Sequence, residues 1–320
     1  MPLDQPKMSR FGPGKINRTR RIAAYYACTF LATHALAAVY LWSGGSWRRL
    51  DSFVFANLAM LVPGLVAAGS ARWLFHAPVT RVLGLSVRLN RWFLVAWLLP
   101  LLLSAVTLLM GLALPGTAYS ASLAGLSARF DLNPDQIGAL VHPLGSLSPI
   151  WSLVAQGLIL GPTLSALAGL GEEAGWRGLL HTELSGLGFW RESWIVGLLW
   201  GAWHLPLVFE GYGFPNHPLA GAGLLLAFTL LAAPLYTFIR IRAESTLACA
   251  VFHGSFAASM LLTFAPIAGG SELTVGLLAV PGVLVMILAN AALACLPAHY
   301  RRPNTARAHS ESVEFQKLEV

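Results

Sequence analysis

Glu172 and Glu173 stand side by side, five and four residues ahead of Arg177, in a stretch otherwise made of apolar and small side chains. A charged side chain in hydrocarbon costs at least about 2.5–3.5 kcal/mol on insertion scales, so such residues survive there by pairing or by working. Two imidazoles, His204 and His253, lie within later apolar runs. These residue types offer peptide hydrolysis. A carboxylate in low dielectric can take a proton from water as a general base. One imidazole could orient that water or protonate the leaving amine, and the other could stabilise the oxyanion of a tetrahedral intermediate. Glu172, His204 and His253 also form a two-histidine, one-carboxylate set that could hold a divalent metal such as zinc with an open position. The sequence leaves both chemistries open.

The local spacing suits either. Glu173 and Arg177 are four apart and can pair along one helix face. Glu172 points about 100° away, on a stripe with Ser165, Ala168 and Gly175, where small residues let a neighbouring helix or a substrate backbone come close. Trp200 precedes His204 by one turn, so its ring can wall the pocket. Cys249 precedes His253 by one turn, but buried cysteines usually behave as small hydrophobes and no third group orients the pair. His34, alone in its apolar run, is expected to hydrogen-bond between helices.

The elements that carry these residues must span a membrane. Hydrophobic residues make up 56% of the 320 positions and charged ones only 11%, against roughly 25% charged in a soluble domain. The expected fold is all-α and polytopic, in a lipid bilayer. Cys28, Cys249 and Cys295 all lie in apolar stretches, which argues against a disulfide framework. The formal net charge of +7 is accounted for by membrane topology, so no nucleic-acid partner is implied. The segment Met1–Gly14 is polar, and no small-residue cleavage site follows the first apolar run, so a cleaved signal peptide is not expected.

A span needs about 20 mainly apolar residues. Eight stretches qualify: Ile22–Trp42, Phe53–Ser70, Trp92–Leu114, Trp151–Glu183, Ser193–Phe209, Leu219–Ile239, Ser245–Ala265 and Thr274–Leu296. Pro63, Pro162, Pro206, Pro234 and Pro281 fall inside them and should kink helices or mark re-entrant turns.

Lysine and arginine set the orientation. One set of segments holds Lys15, Arg18, Arg20, Arg21, Arg72, Arg81, Arg88, Arg91, Arg191, Arg240, Arg242, Arg301 and Arg302, and the alternate loops hold only Arg48, Arg49 and Arg129. Both termini are therefore expected in the cytoplasm. The basic tail around Arg301, Arg302 and Arg307 fits an orientation signal. Counted from that side, Glu172, His204 and His253 lie at one depth, roughly 14–16 Å at 1.5 Å per residue. The expectation is a polar cavity opening to the cytoplasm.

At these residues the chain resembles the CPBP intramembrane proteases, also called CAAX proteases, bacteriocin-processing or Abi-like enzymes. Their signature is E-E-x-x-x-R, then F-x-x-x-H, then H-x-x-x-N or H-x-x-x-D on successive helices. Gly171-Glu-Glu-Ala-Gly-Trp-Arg177 matches the first, Trp200-Gly-Ala-Trp-His204 the second with tryptophan for phenylalanine, and His253 begins the third. The resemblance gives the base role to Glu172, supporting roles to Glu173 and Arg177, and site roles to His204 and His253. It departs at Ala257, where the family has Asn or Asp. The implied function is an intramembrane (metallo)endopeptidase acting on a peptide or membrane-anchored protein. The alternative is a catalytically impaired scaffold, immunity or regulatory protein. The implied division is an N-terminal segment (1–21), N-terminal helices with a long loop (22–148), a protease-like core (149–297) and a tail (298–320). A prokaryotic plasma membrane is the expected location, since no organellar targeting feature is evident. A reporter that works only in the cytoplasm should be active when fused after Arg302 and silent when placed between Pro115 and Leu147; the opposite pattern would reverse the orientation.

Overall fold

The computed structural model describes residues 17–49, 51–141 and 147–302. Lys15, Arg307, Met1–Gly14 and the outer parts of the two terminal segments lie outside the described residues. The main helices are α1 (Arg18–Trp42), α2 (Asp51–Leu74), α3 (Arg91–Leu112), α4 (Pro149–Ile159), α5 (Gly161–Leu187), α6 (Phe189–Phe209), α7 (Pro218–Ala243), α8 (Thr246–Thr263) and α9 (Val280–Cys295). The sheet is a two-residue antiparallel pairing of Ala118–Tyr119 with Ile267–Ala268. The protein is an all-α, polytopic membrane protein.

Local sequence explains where these helices begin. The Asn17, Asn90 and Ser245 side chains accept hydrogen bonds from the Thr19, Trp92 and Leu247 amides, capping α1, α3 and α8. Pro149, Pro218 and Pro281 occupy first turns, where a missing N–H costs nothing.

Eight spans were expected, and helices occupy all eight stretches. Five are long and apolar enough to cross a membrane: α1, α2, α3, α7 and α8. A sixth is counted if α4 and α5 form one span, bent by 41°. The break falls at Leu160, beside Pro162, which lies in a wide i→i+5 stretch, Gly161–Ser165. The two shortfalls have simple causes. Helix α6 begins with Arg191 and Glu192 in its early turns, and α9 has only 16 residues. Among the described residues, five or six helices are thus long and apolar enough to cross, against eight expected stretches.

Helix α8 is the centre of the bundle. It packs against α3, α4, α5 and α7, while α6 and α7 lie along one another. His34 does not bridge helices. Both its ring nitrogens are buried without a partner, and its ring lies 4.1 Å from that of Phe30. Phe30 is one turn away and covers the imidazole that a neighbouring helix was expected to meet.

The helix ends form two faces. On one, Arg21 pairs with Glu183 at 2.8 Å, Asn90 donates to the Ala243 carbonyl, Ser245 donates to that of Ser86, and Arg242 lies over the Trp92 and Tyr300 rings. The segments rich in arginine thus share a face. On the other, Arg48 pairs with Asp131, the Trp47 and Tyr212 rings meet at 5.4 Å, and Arg129 donates to the Val275 carbonyl.

Glu272 fastens this second face. It accepts from the Asn216 amide at 2.7 Å, from its side chain at 2.9 Å and from His217 at 3.2 Å. Burial pushes its carboxyl up, but these hydrogen bonds outweigh burial and hold it below the ordinary glutamate value of 4.5. The carboxylate is the bonded form, so the folded protein holds this proton less tightly than the unfolded chain. Its contribution is present above the ordinary value and is lost as pH falls through the depressed one. Glu272→Gln should therefore lower the melting temperature at pH 7, and the gap to wild type should close as the sample is acidified below about pH 4. A gap independent of pH would contradict this.

Candidate active site

Close backbone approach brings the motif residues together. A Cβ at Gly169 would meet that of His253 at 3.1 Å, and one at Gly161 would meet the Ser255 Cα at 2.9 Å. Only hydrogen at these positions lets α5 lie this close to α8. On its other side α5 presses Gly171 onto the backbone of Met60 and Leu61 in α2. Beyond the glutamates the helix widens again to i→i+5 bonding over Ala174–Leu179, a device often found at functional sites. Ser165, Ala168 and Gly175 divide between neighbours: Gly175 lies against Tyr25 and Pro63 of α1 and α2, and Ala168 lines a groove on the outside of the bundle.

Glu173 is fully buried and Arg177 nearly so. Arg177 Nη1 donates to Glu173 Oε1 at 3.1 Å, within one helix as the spacing predicts. The same oxygen takes His253 Nδ1 at 2.8 Å. The guanidinium is stacked over two rings, Tyr236 at 4.1 Å and Trp200 at 4.7 Å. Such cation–π contacts hold a cation where water is excluded.

Glu172 points elsewhere. Its Oε2 accepts from the indole N–H of Trp200 at 2.6 Å and of Trp176 at 3.2 Å. Its Oε1 takes no hydrogen bond from the described residues, and the side chain lines a cavity of about 150 Å³ with His204 and His253. His204 Nδ1 lies 2.9 Å from the Trp200 carbonyl. A carbonyl only accepts, so this nitrogen carries the hydrogen. His204 and His253 thus both use Nδ1 for support and leave Nε2 for the cavity.

All five expected site residues are therefore assembled, with Glu172, His204 and His253 on the cavity and Glu173 and Arg177 behind them. Cys249 turns away; its thiol faces the Tyr236 and Ser245 carbonyls. The cavity's course differs from expectation. From Glu172 and His253 it runs toward Trp47, Tyr212, Leu277 and Leu278, the face opposite the arginine-rich one. The expected cytoplasmic opening assumed that equal depth implied access from the counted side. Bulky Trp176, Arg177 and Leu179 fill that side instead.

The donor types suit a divalent ion, and both imidazoles have the outer partners that metal-ligating histidines usually have. Among the described residues, no three His, Cys, Asp or Glu side chains are close enough together to stand out as a metal site. Were an ion to bind, Glu172, His204 and His253 would be the groups on the cavity to hold it.

Several residues around Glu172 carry no motif signal of their own. Trp176 lies inside the first motif at a variable position, four residues after Glu172, and its indole reaches that carboxylate. Tyr212 and Tyr236 come from a loop and from α7. Met60 comes from α2 and lines the cavity from outside the motif region.

Residues 150–259 match the family model described as type II CAAX prenyl endopeptidase Rce1-like. Over these residues the chain is similar to the CPBP/CAAX protease family. No curated protein matches the chain. The matched segment runs from α4 to Ser259 in α8 and contains Glu172, Glu173, Arg177, His204 and His253, together with Ala257, which lines the cavity with a methyl group. Helices α1–α3 and α9 lie outside it.

The Glu173 cluster sets a stability test. Removing one partner of a buried ion pair typically costs about 3–5 kcal/mol, because the other charge is stranded. Glu173→Ala should destabilise the detergent-solubilised protein on that scale. Glu173→Gln should unfold closer to wild type, because it keeps an acceptor for Arg177. Equal thermal shifts for the two variants would contradict the pairing.

Proposed function

We propose that this membrane peptidase is an intramembrane endopeptidase that cleaves a peptide or membrane-anchored protein, with Glu172 as the general base. The observation that carries this is the division of labour at Glu172. Two indole N–H groups fix Oε2, and Oε1 is left for the cavity between two imidazoles that are themselves oriented.

In this reading Glu172 Oε1 takes a proton from a water molecule, and the resulting hydroxide adds to the scissile carbonyl carbon. The carbonyl π pair moves onto oxygen. The tetrahedral intermediate collapses, the C–N bond breaks, and the proton held by Glu172 passes to the leaving nitrogen. His204 orients the water through Nε2. His253, backed by the Glu173 carboxylate, assists proton delivery to the amine. Glu173 and Arg177 act through His253 and Trp200 and are positioning residues.

The arginine-rich face is proposed to be cytoplasmic, with both termini there, in a prokaryotic plasma membrane. The substrate then approaches the cavity from the opposite leaflet. Residues 149–297 are proposed as the protease core, 22–148 as its flanking helices and loop, and 1–21 and 298–320 as cytoplasmic ends. The scaffold, immunity or regulatory alternative rests on Ala257 alone, and the intact Glu172 clamp and imidazoles weigh against it.

Turnover of a quenched fluorescent peptide library by purified protein tests the proposal. General acid–base groups typically contribute about 10²–10⁴-fold, so Glu172→Gln should lower kcat by at least about 100-fold while the protein stays folded. A Glu172→Gln protein that cleaves as fast as wild type would end the proposed base role. Turnover that persists in chelator is expected; loss restored by zinc would return Glu172, His204 and His253 to a metal-ligand role.

A further inference from the structure

Hydrolysis as written needs a donor for the oxyanion, and α8 offers none beyond His253. Its other cavity residues are Phe256, Ala257 and Met260. The polar groups elsewhere on the wall are mostly engaged. The Trp200 indole is on Glu172, Trp203 donates to Thr33, and the Thr229 hydroxyl donates to the Leu226 carbonyl. That leaves two hydroxyls, Tyr212 and Tyr236, neither of which donates to any described residue.

They differ in surroundings. The Tyr236 ring lies under the Arg177 guanidinium and edge-on to Phe252 at 4.7 Å, in the supporting layer behind His253. Tyr212 belongs to the reacting layer. Its ring is nearly parallel to that of His204, at 18° and 6.5 Å between centroids, and Trp47 packs edge-on against it at 5.4 Å. Its backbone is fixed as well. The Tyr212 amide donates to the Leu207 carbonyl at 2.9 Å, and glycines on both sides take positive φ, +100° at Gly211 and +74° at Gly213. Those left-handed conformations turn the chain back over the end of α6. Tyr212 thus lines the same cavity as Glu172, His204 and His253, fixed by a tight loop and flanked by two rings.

We infer that Tyr212 is a catalytic residue of this site, its phenol donating a hydrogen bond to the oxyanion in place of the polar side chain that Ala257 lacks. The inference rests on the endopeptidase reading above. As hydroxide adds to the scissile carbon and the π pair moves to oxygen, the Tyr212 O–H shortens its hydrogen bond to that oxygen and keeps its own proton. The bond relaxes when C–N cleavage restores the carbonyl. Burial, and then the charge of Glu172, push the phenol up to about 12, so it remains a donor across the working range. Removing one such donor typically costs about 10²–10³-fold in kcat.

Tyr212→Phe keeps the ring contacts with His204 and Trp47 and removes only the hydroxyl. On the peptide cleaved by wild type, kcat should fall by about 100-fold with KM changed less than about threefold and the melting temperature held. Ala257→Asn in the Tyr212→Phe background should recover at least about tenfold, because it supplies a donor at the neighbouring wall. Tyr236→Phe serves as the comparison and should lose less. The inference is overturned if Tyr212→Phe keeps wild-type kcat, if the loss appears in KM or melting temperature instead, if Ala257→Asn recovers nothing, or if Tyr236→Phe loses more. An inactive wild type would take down the endopeptidase reading and this inference together. An active wild type with an unaffected Tyr212→Phe overturns this inference alone.

Discussion

Two adjacent carboxylates in the middle of an apolar bundle are the constraint to which the rest of this structure answers. A single buried ion is unfavourable by several kcal/mol unless its charge is matched and its lone pairs are used. Here the two are answered differently. Glu173 receives charge, from Arg177 along its own helix and from His253 across to α8. Glu172 receives dipoles, the N–H groups of two indoles, and no cation. Both ion-pair partners of Glu173 fall on one of its oxygens, while Glu172 keeps an oxygen on the cavity. Because the partners come from α5, α6 and α8, the charge requirement also fixes the relative rotation of three helices, and α7 follows because Tyr236 covers Arg177.

That arrangement demands a short distance between α5 and α8, which the backbone supplies in two ways. Glycines at 161 and 169 remove the side chains that would hold the helices apart. The two widened stretches, Gly161–Ser165 and Ala174–Leu179, bracket the glutamates and reset the helix rotation on either side. The second one carries Arg177, whose carbonyl accepts from Arg240 Nε of α7 at 3.1 Å. Backbone irregularity at membrane depth is tolerated where protein groups satisfy it, and an arginine does so here.

Much of this was legible in the sequence, for identifiable reasons. The four-residue spacing of Glu173 and Arg177 is a property of any helix, so that pair was readable without tertiary information. The apolar runs located the helices because hydrocarbon demands them. The depth match of Glu172, His204 and His253 held because rise per residue is nearly constant. Three-dimensional facts were less accessible. Equal depth does not say toward which end a cavity runs, and buried Trp176 and Leu179 occupy the arginine-rich side. Charge near the start of α6 and the shortness of α9 leave fewer described helices that pass for spans, although composition alone favoured eight. His34 was expected to find a helix partner and was covered by Phe30 of its own helix. Tyr212 had no periodic or motif signal, because a loop between two glycines delivers it.

The size of the cavity constrains what can react in it. About 150 Å³ of the cavity is open to water-sized groups, room for several waters. That accommodates a peptide unit and a nucleophilic water, and it does not accommodate a helix, whose diameter with side chains is about 10–12 Å. A segment that arrives as a membrane helix must therefore unwind before its carbonyl reaches Glu172. The walls where it would do so are made of Met60, Met260, Leu278 and aromatic rings, which offer no backbone-like donors to an unwound strand. Unwinding is then cheapest at a position already near water, where exposed peptide groups keep their hydrogen bonds. The cavity's course toward the Trp47–Tyr212 face puts the reacting groups within reach of such a position. Under the endopeptidase reading proposed above, a site walled at the arginine-rich side and running toward short loops would favour chain near a membrane boundary.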